Sequence, residues 1–420
     1  MKKNIEMTNL EKYADAVYKC IRCGACRAVC PTFGEELSET AVARGRMALV
    51  EAVLAGELEL TDAFEKTMFH CAMCGACKAG CPSGVDVPAV IEAARAELVK
   101  HKKSQSLVRF LARKTLSEKK ATDRAMALMA LGRAAYGPLA ATPLGRFLPY
   151  QYKDFKRQIP KIPVKPLSSR VPSRINAEKS VGKVLFYTGC VINYVYPEIG
   201  EAAIRVLNKA GYDVLLAKGE LCCGKPLKSL GEIDSFKALA EKGVKVLSEL
   251  DADFVLTACP TCALTLRDEY IKILPESESA KRLSGKVQDV NHFLVHHSDI
   301  MDRLAPSSLV VTYHDPCHLN FGMNVRSEPR ELMKKAAGGY AEMEESSRCC
   351  GFGGSFSFLD YRLSGKIANR KVSNVLKTGA QAVAAACPGC MMHLKDALAQ
   401  AGSSVVALHT LQIIDKALKK

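Results

Sequence analysis

The chain has no tryptophan, and aromatic residues make up only 6% of its 420 positions. That scarcity argues against stacking platforms for nucleic-acid bases. No uncharged apolar run approaches the length of a membrane-spanning helix. The N-terminus, "MKKNIEMTNLEKYADAV", starts basic but has no apolar segment behind it. No signal peptide is therefore expected, and the chain is placed in the cytoplasm. Also missing are a P-loop, a Gly-rich flavin or nicotinamide fingerprint, and any Ser–His–Asp arrangement.

What the chain does have is length, apolar residues and sulfur. A hydrophobic share of 48% over 420 residues supplies cores for about two to four domains. Eighteen cysteines in a reducing compartment are metal ligands rather than disulfides. They fall into four groups and nowhere else: 20, 23, 26, 30; 71, 74, 77, 81; 190, 222, 223, 259, 262; and 317, 349, 350, 387, 390.

The first two groups lie in "KCIRCGACRAVCP" and "HCAMCGACKAGCP", each reading C-x2-C-x2-C-x3-C-P. Three thiolates on one tight loop can hold three irons of a cubane, while the cysteine before proline ligates the neighbouring cluster in two-cluster ferredoxins. That rule assigns Cys20, Cys23, Cys26 and Cys81 to one [4Fe–4S] cluster and Cys71, Cys74, Cys77 and Cys30 to a second. Gly24 and Gly75 let backbone N–H groups approach sulfur. Structural zinc is the plain alternative, but it favours two separated C-x2-C pairs. Apolar residues at helical spacing over 39–69 and 87–101 predict helices around both loops.

Residues 101–180 hold 18 Lys and Arg against 4 Asp and Glu, an excess of 14 in a chain whose net charge is +15. Within it the proline-rich stretch "RQIPKIPVKPLSSRVP" reads as an extended linker. Docking to an anionic membrane surface or an acidic partner is expected from the charge. A solvated linker wrapping its own protein is the plain alternative. No helix-turn-helix or finger pattern accompanies the charge, so nucleic acid is not an expected partner.

The last two groups form an internal repeat. Cys190, Cys222, Cys223, Cys259 and Cys262 recur as Cys317, Cys349, Cys350, Cys387 and Cys390, offset by 127 or 128 residues. The surroundings agree: "LCCGKPL" matches "RCCGFGG", and "TACPTC" matches "AACPGC". Short apolar runs such as "KVLFYTGC", "YDVLLA" and "DFVLTACPTC" predict strands, and "PEIGEAAIRVLNKAG" and "IDSFKALAEKGVKVLSEL" predict helices between them. Alternating strands and helices imply a parallel sheet whose carboxyl edge gathers the cysteines. Five thiolates exceed the four a cubane needs, and adjacent cysteines cannot easily fill separate corners of a regular cubane. The layout therefore suggests an unusual cluster with a bridging thiolate, against a zinc site or a conventional cluster with a spare thiol. His314 and His318 flank Cys317 as candidates for hydrogen bonding to sulfur or proton relay, or as ordinary loop histidines. "GFGGSF" at 351–356 reads as close backbone approach to a cluster, and "LRDEY" at 266–270 as a helix surface.

Two C-x2-C-x2-C-x3-C-P strings ahead of two copies of C-x31-C-C-G-x34/35-C-P-x-C resemble the cysteine-rich CCG-domain iron–sulfur subunits. That superfamily includes the glycolate oxidase iron–sulfur subunit, the C subunit of anaerobic glycerol-3-phosphate dehydrogenase and the D subunit of heterodisulfide reductase. The resemblance implies an α+β multidomain chain. A helical two-cluster ferredoxin-type domain (1–100) and the basic connector (101–180) precede two duplicated α/β CCG domains with parallel sheets (181–307 and 308–420). It further implies an oxidoreductase subunit with two [4Fe–4S] cubanes and two further, non-cubane [4Fe–4S] clusters on the ten CCG cysteines. A separate FAD-containing subunit, a glycolate or D-lactate dehydrogenase, would supply electrons destined for quinone or another acceptor such as a cytochrome. The chain would sit at the inner face of the cell membrane. In the heterodisulfide branch a disulfide is reduced at the CCG clusters. Both C-P-x-C strings are intact here, which keeps that chemistry open. A zinc-stabilised interaction protein is the third reading.

Overall fold

Short β-branched and apolar runs from Gly182 onward alternate with amphipathic helices, and the chain accordingly winds into two parallel sheets. The computed structural model describes residues 8–101, 106–140 and 160–419. The parts of the basic connector at 102–105 and 141–159 lie outside the described residues.

The first sheet contains β1 (Arg174–Ile175), β2 (Gly182–Phe186), β3 (Tyr212–Leu215), β4 (Phe254–Thr257) and β5 (Val287–Asp289), in spatial order β1-β3-β2-β4-β5. The second contains β6 (Val310–His314), β7 (Gly339–Tyr340), β8 (Ala382–Ala385) and β9 (Val406–His409), in order β7-β6-β8-β9. Without β1 the two orders are the same, so the duplication extends from cysteine spacing to topology. All pairings are parallel except β1 with β3. The strands are buried on both faces: Val184, Leu185 and Phe186 of β2 and all four residues of β8 are nearly inaccessible. That is the pattern expected when helices cover a parallel sheet.

Two features of the connector are structural. Arg174–Ile175 adds the antiparallel edge strand to the first sheet. Leu167 is fully buried against Gly200, where a Cβ would stand 2.1 Å from the leucine methyl. Helices Ser106–Leu116 and Lys119–Ala140 occupy the earlier part.

The head is helical, with Ala43–Leu54, Asp62–Phe69 and Val87–His101 as its main helices. Met47, Val50, Phe64, Met68, Val90 and Ile91 form its core. It packs against both sheet domains through buried polar groups. The fully buried Arg95 donates to Met68 O and Cys71 O, each at 2.8 Å, and to Ser229 O of the first sheet domain at 2.9 Å. Gly231 carries φ +81° beside Arg95 O, where a Cβ would come within 2.5 Å.

Candidate functional site

In each head loop the residue before the second cysteine, Arg22 or Met73, has a left-handed φ of 53° or 55°, and the following glycine, Gly24 or Gly75, has φ +88° or +78°. Non-glycine residues in that region cost about 1–3 kcal/mol and cluster at functional sites. Here the strain curls each loop over a short helix start. Cys20, Cys23, Cys26 and Cys81 line one cavity, with Cys77 also at its wall. Cys30, Cys71, Cys74 and Cys77 line a second. Each loop thus contributes its last cysteine across to the other. Arg46, buried between the helices, holds the approach to the second loop by donating to Thr67 O and His70 O, both at 3.2 Å.

The carboxyl edges of the two sheets face each other. Cys190 follows β2, Cys222 and Cys223 follow β3, and Cys259 follows β4. The edge where β2 separates β3 from β4 is the switch point at which open α/β sheets bind ligands. Cys317, Cys349, Cys350 and Cys387 take corresponding places after the strands of the second sheet. All ten cysteines of the two repeats line one cavity of about 150 Å³. Cys190 and Cys222 sulfurs are 3.8 Å apart. Cys223 reaches Cys262, Cys317 reaches Cys349, and Cys350 reaches Cys390. Across the domain boundary, Cys259 and Cys387 are in hydrogen-bonding reach. At the head boundary, Cys74 and Cys349 are in the same relation.

The residues around the sulfurs fit a bound cluster. Gly189 has φ +64°, and a Cβ there would sit 2.9 Å from Cys262 Sγ. The backbone is kept bare where the sulfurs converge. Hydrogen bonds that it donates to Cys223 and Cys259, and then burial, push the Cys262 thiol up. Ten thiolates in one buried cavity would repel one another, and the positive charge of ligated iron is what relieves such crowding. Glu220 braces the first site by accepting from Thr188 Oγ1 at 2.6 Å and Gly189 N at 2.8 Å. Burial raises it to about 7, against those hydrogen bonds. Tyr187 Oη donates to Leu221 O at 2.7 Å and fixes the loop into Cys222.

The histidines beside Cys317 differ from each other. His314 closes β6, is fully buried, and lies within 4.8 Å of Cys350 and Cys390 sulfurs. Burial drives it down to about 3, so it is neutral. His318 bonds Thr261 Oγ1 at 2.8 Å and Met73 O at 3.3 Å, joining three parts of the chain rather than meeting sulfur. In "GFGGSF", Gly353 lets the backbone approach Ala72 of the head, with a Cβ position 3.1 Å from Ala72 backbone atoms.

One expectation needs correction. "LRDEY" is not a solvated helix face: Leu266, Glu269 and Tyr270 are buried. A π-helical turn at Thr265–Glu269 rotates Glu269 inward, toward Lys225 at 2.5 Å and Lys228 at 3.3 Å. Glu92 of the head completes the group, 2.8 Å from each lysine. Burial pulls Lys225 down, but Glu92 and Glu269 more than offset it and hold its ammonium above the ordinary value. Glu92 and Lys228 gave no separate signal in the sequence; two acids and two bases spread over three segments pair only after folding.

Comparison with known proteins agrees with this construction. The 4Fe-4S dicluster domain family matches residues 16–85, and the cysteine-rich domain family, CCG, matches residues 184–267 and 311–395. The probable glycolate oxidase iron–sulfur subunit of Bacillus subtilis is 32% identical over 416 residues, spanning 94% of this chain and 92% of the relative. The chain belongs to the CCG-domain iron–sulfur oxidoreductase subunits. A further relative is the D subunit of dihydromethanophenazine:CoB–CoM heterodisulfide reductase from Methanosarcina barkeri, 26% identical over 95% of this chain and 93% of its own length. Lactate utilization protein A of Bacillus subtilis is 26% identical over 56% of this chain and 99% of its own length. In this CCG-domain protein no helix among the described residues is long and apolar enough to cross a membrane.

Proposed function

We propose that this chain is the iron–sulfur electron-transfer subunit of a flavoprotein 2-hydroxy-acid dehydrogenase, with glycolate or D-lactate as substrate of the partner. The observation that carries the reading is the unbroken run of cysteine side chains from the head, through Cys74 and Cys349, to Cys387 and Cys259 of the two sheet domains. The near full-length similarity to a glycolate oxidase iron–sulfur subunit supports the substrate class.

Cys20, Cys23, Cys26 and Cys81 would hold one [4Fe–4S] cubane, and Cys71, Cys74, Cys77 and Cys30 the other. The five cysteines of each repeat would hold one further cluster of non-cubane type. Clusters at these positions supply one-electron storage between a two-electron flavin and an acceptor. The protein's own part is to fix the loops through Arg95, Arg46, Tyr187 and Glu220, and to exclude water from the sulfurs. Since the sequence carries no flavin fingerprint, an FAD-containing partner subunit is required. The helix Ser106–Leu116 exposes Leu107, Val108, Phe110 and Leu111 beside Arg113 and Lys114. This composition supports docking on the anionic inner face of the cell membrane, next to a quinone acceptor.

The test is anaerobic copurification. The complex should contain flavin, and glycolate or lactate should bleach the iron–sulfur absorbance and reduce a quinone analogue. Bleaching by the substrate in the isolated chain, or none in the complex, would refute the assignment.

A second reading is favoured by one observation, that both sets of five cysteines open into the same cavity. A disulfide entering there would be cleaved to two thiols by two electrons and two protons. Oxidation of a reduced dye with a mixed thiol disulfide as sole acceptor would establish it.

A further inference from the structure

The two sheet domains also meet away from the cysteine cavity, where a different set of ligating side chains is gathered. The helix Val290–His296 follows β5 at the end of the first domain, and its sequence "VNHFLVH" puts His292 and His296 one turn apart. Residues at i and i+4 project from the same helix face. Glu328 opens the facing helix, Glu328–Ala336, in the second domain. His292 Nδ1 lies 2.8 Å from Glu328 Oε1, and His296 Nε2 lies 3.4 Å from the same oxygen. All three ligand atoms fall within 4.8 Å of one another. The imidazole centroids are 4.4 Å apart.

These separations are the ones a small divalent ion needs. Zinc stands about 2.0–2.1 Å from imidazole nitrogen and about 2.0–2.2 Å from carboxylate oxygen. Two ligands at those lengths are about 2.9 Å apart at a right angle and about 3.3 Å apart at the tetrahedral angle. The glutamate is already oriented for ligation. Its other oxygen accepts from Arg326 N at 3.1 Å and Ser327 Oγ at 3.4 Å, which aims Oε1 at the imidazoles. Such outer hydrogen bonds orient ligating carboxylates in metal sites. Side-chain exposures of 37% for His292, 50% for His296 and 10% for Glu328 leave an entry path and room for a water ligand. Two imidazoles and one carboxylate suit zinc and its first-row neighbours, and differ from the all-sulfur sites of the cysteine cavity.

We propose that His292, His296 and Glu328 form a binding site for one first-row divalent cation that cross-links the two cysteine-rich domains. The ion joins the end of the first domain to the second beside an existing polar tie, Thr410 Oγ1 to Asn291 Oδ1 at 2.8 Å. It thereby fixes the register in which the two sets of cysteines face each other.

The test uses full-length, iron-loaded protein prepared without oxygen, titrated with zinc beside His296→Gln and His292→Gln. These side chains are partly exposed, and unchanged iron content verifies that each variant is folded. Wild type is expected to take up one zinc more than either variant at low micromolar concentration, with iron unchanged. Affinity should fall at least about tenfold in each variant. X-ray absorption of the added zinc should show nitrogen and oxygen neighbours at about 2.0–2.1 Å and no sulfur shell near about 2.3 Å. Zinc should raise the melting temperature of wild type more than that of the variants. Equal uptake by all three proteins, or added zinc that shows sulfur neighbours and displaces iron, would overturn the proposal.

Discussion

The first and second cysteine-rich domains share a strand order and five sulfurs, yet each makes contacts with the ferredoxin-type head that the other lacks. In the first, Lys225 and Lys228, just after its paired cysteines, close a buried square with Glu92 of the head and Glu269. In the second, Cys349 reaches Cys74, the bare backbone of Gly353 lies against Ala72, and Asp360 stands 3.1 Å from His70 of the head. At the position after C-C-G, Lys225 in one copy is replaced by Phe352 in the other. Duplication kept the sheet that places sulfur, whereas residues outside the repeat pattern decide what each site faces. Among the described residues, sulfur of the repeats meets sulfur of the head on the second domain's side. The repeats therefore differ in their position along any electron path.

Substitutions at the two junctions should break this asymmetry unequally. The largest effect is expected for Lys225→Met. It leaves two buried carboxylates facing a single lysine, and breaking a buried charge group in this way costs about 3–5 kcal/mol. Thermal unfolding under anaerobic conditions measures it, and a loss below about 1 kcal/mol would show that the square is not buried in solution. Arg95→Met comes next. It strands the carbonyls of Met68, Cys71 and Ser229, at about 1–3 kcal/mol, and should release iron from the head before the sheet domains, read by iron analysis after mild chelation.

Gly353→Ala should cost about 1–2 kcal/mol, the penalty for a side chain at left-handed φ, since φ there is +53°. Its specific signature is slower electron exchange between the head and the sheet domains, measured by freeze-quench spectroscopy, while Lys225→Met at matched stability leaves that rate nearer wild type. The smallest effect is expected for Glu342→Gln, in a cluster peculiar to the second domain where Arg330 bridges Asp315 and Glu342. Burial raises the Glu342 carboxyl, but Arg330 and Tyr340 outweigh it and hold it down, from 4.5 to about 2. A carboxylate depressed in the folded state stabilises above its ordinary value and loses that contribution as pH falls toward the folded one. Wild type and variant should therefore differ by less than about 1 kcal/mol at pH 7, with a gap that stays level down to about pH 5. A gap that closes between pH 7 and 5 would contradict the sign.

Much of this was legible in the sequence because it is local. The spacing of Cys20 through Cys30 demands a tight loop, and the short apolar run in "KVLFYTGC" at 183–190 demands a buried strand. The 127-residue offset between Cys190 and Cys317 reveals the repeat. The helix over 87–101 also lies where its periodicity puts it. What periodicity could not reveal was the meeting of remote segments. The π turn at Thr265–Glu269 turns an apparently polar helix face inward. The contacts of Cys259 with Cys387 and of Cys74 with Cys349 depend on how three sequence-remote parts of the chain pack together. Arg174–Ile175 is too short to stand out from a proline-rich stretch, although it extends the first sheet.

The central claim is that the repeated cysteines, as well as the head, hold iron. Iron and acid-labile sulfide per chain, measured on anaerobically purified full-length protein, test it most directly. Four four-iron clusters predict about sixteen iron atoms and a matching amount of sulfide. About eight iron atoms, with zinc or free thiols accounting for the ten cysteines of the sheet domains, would contradict it.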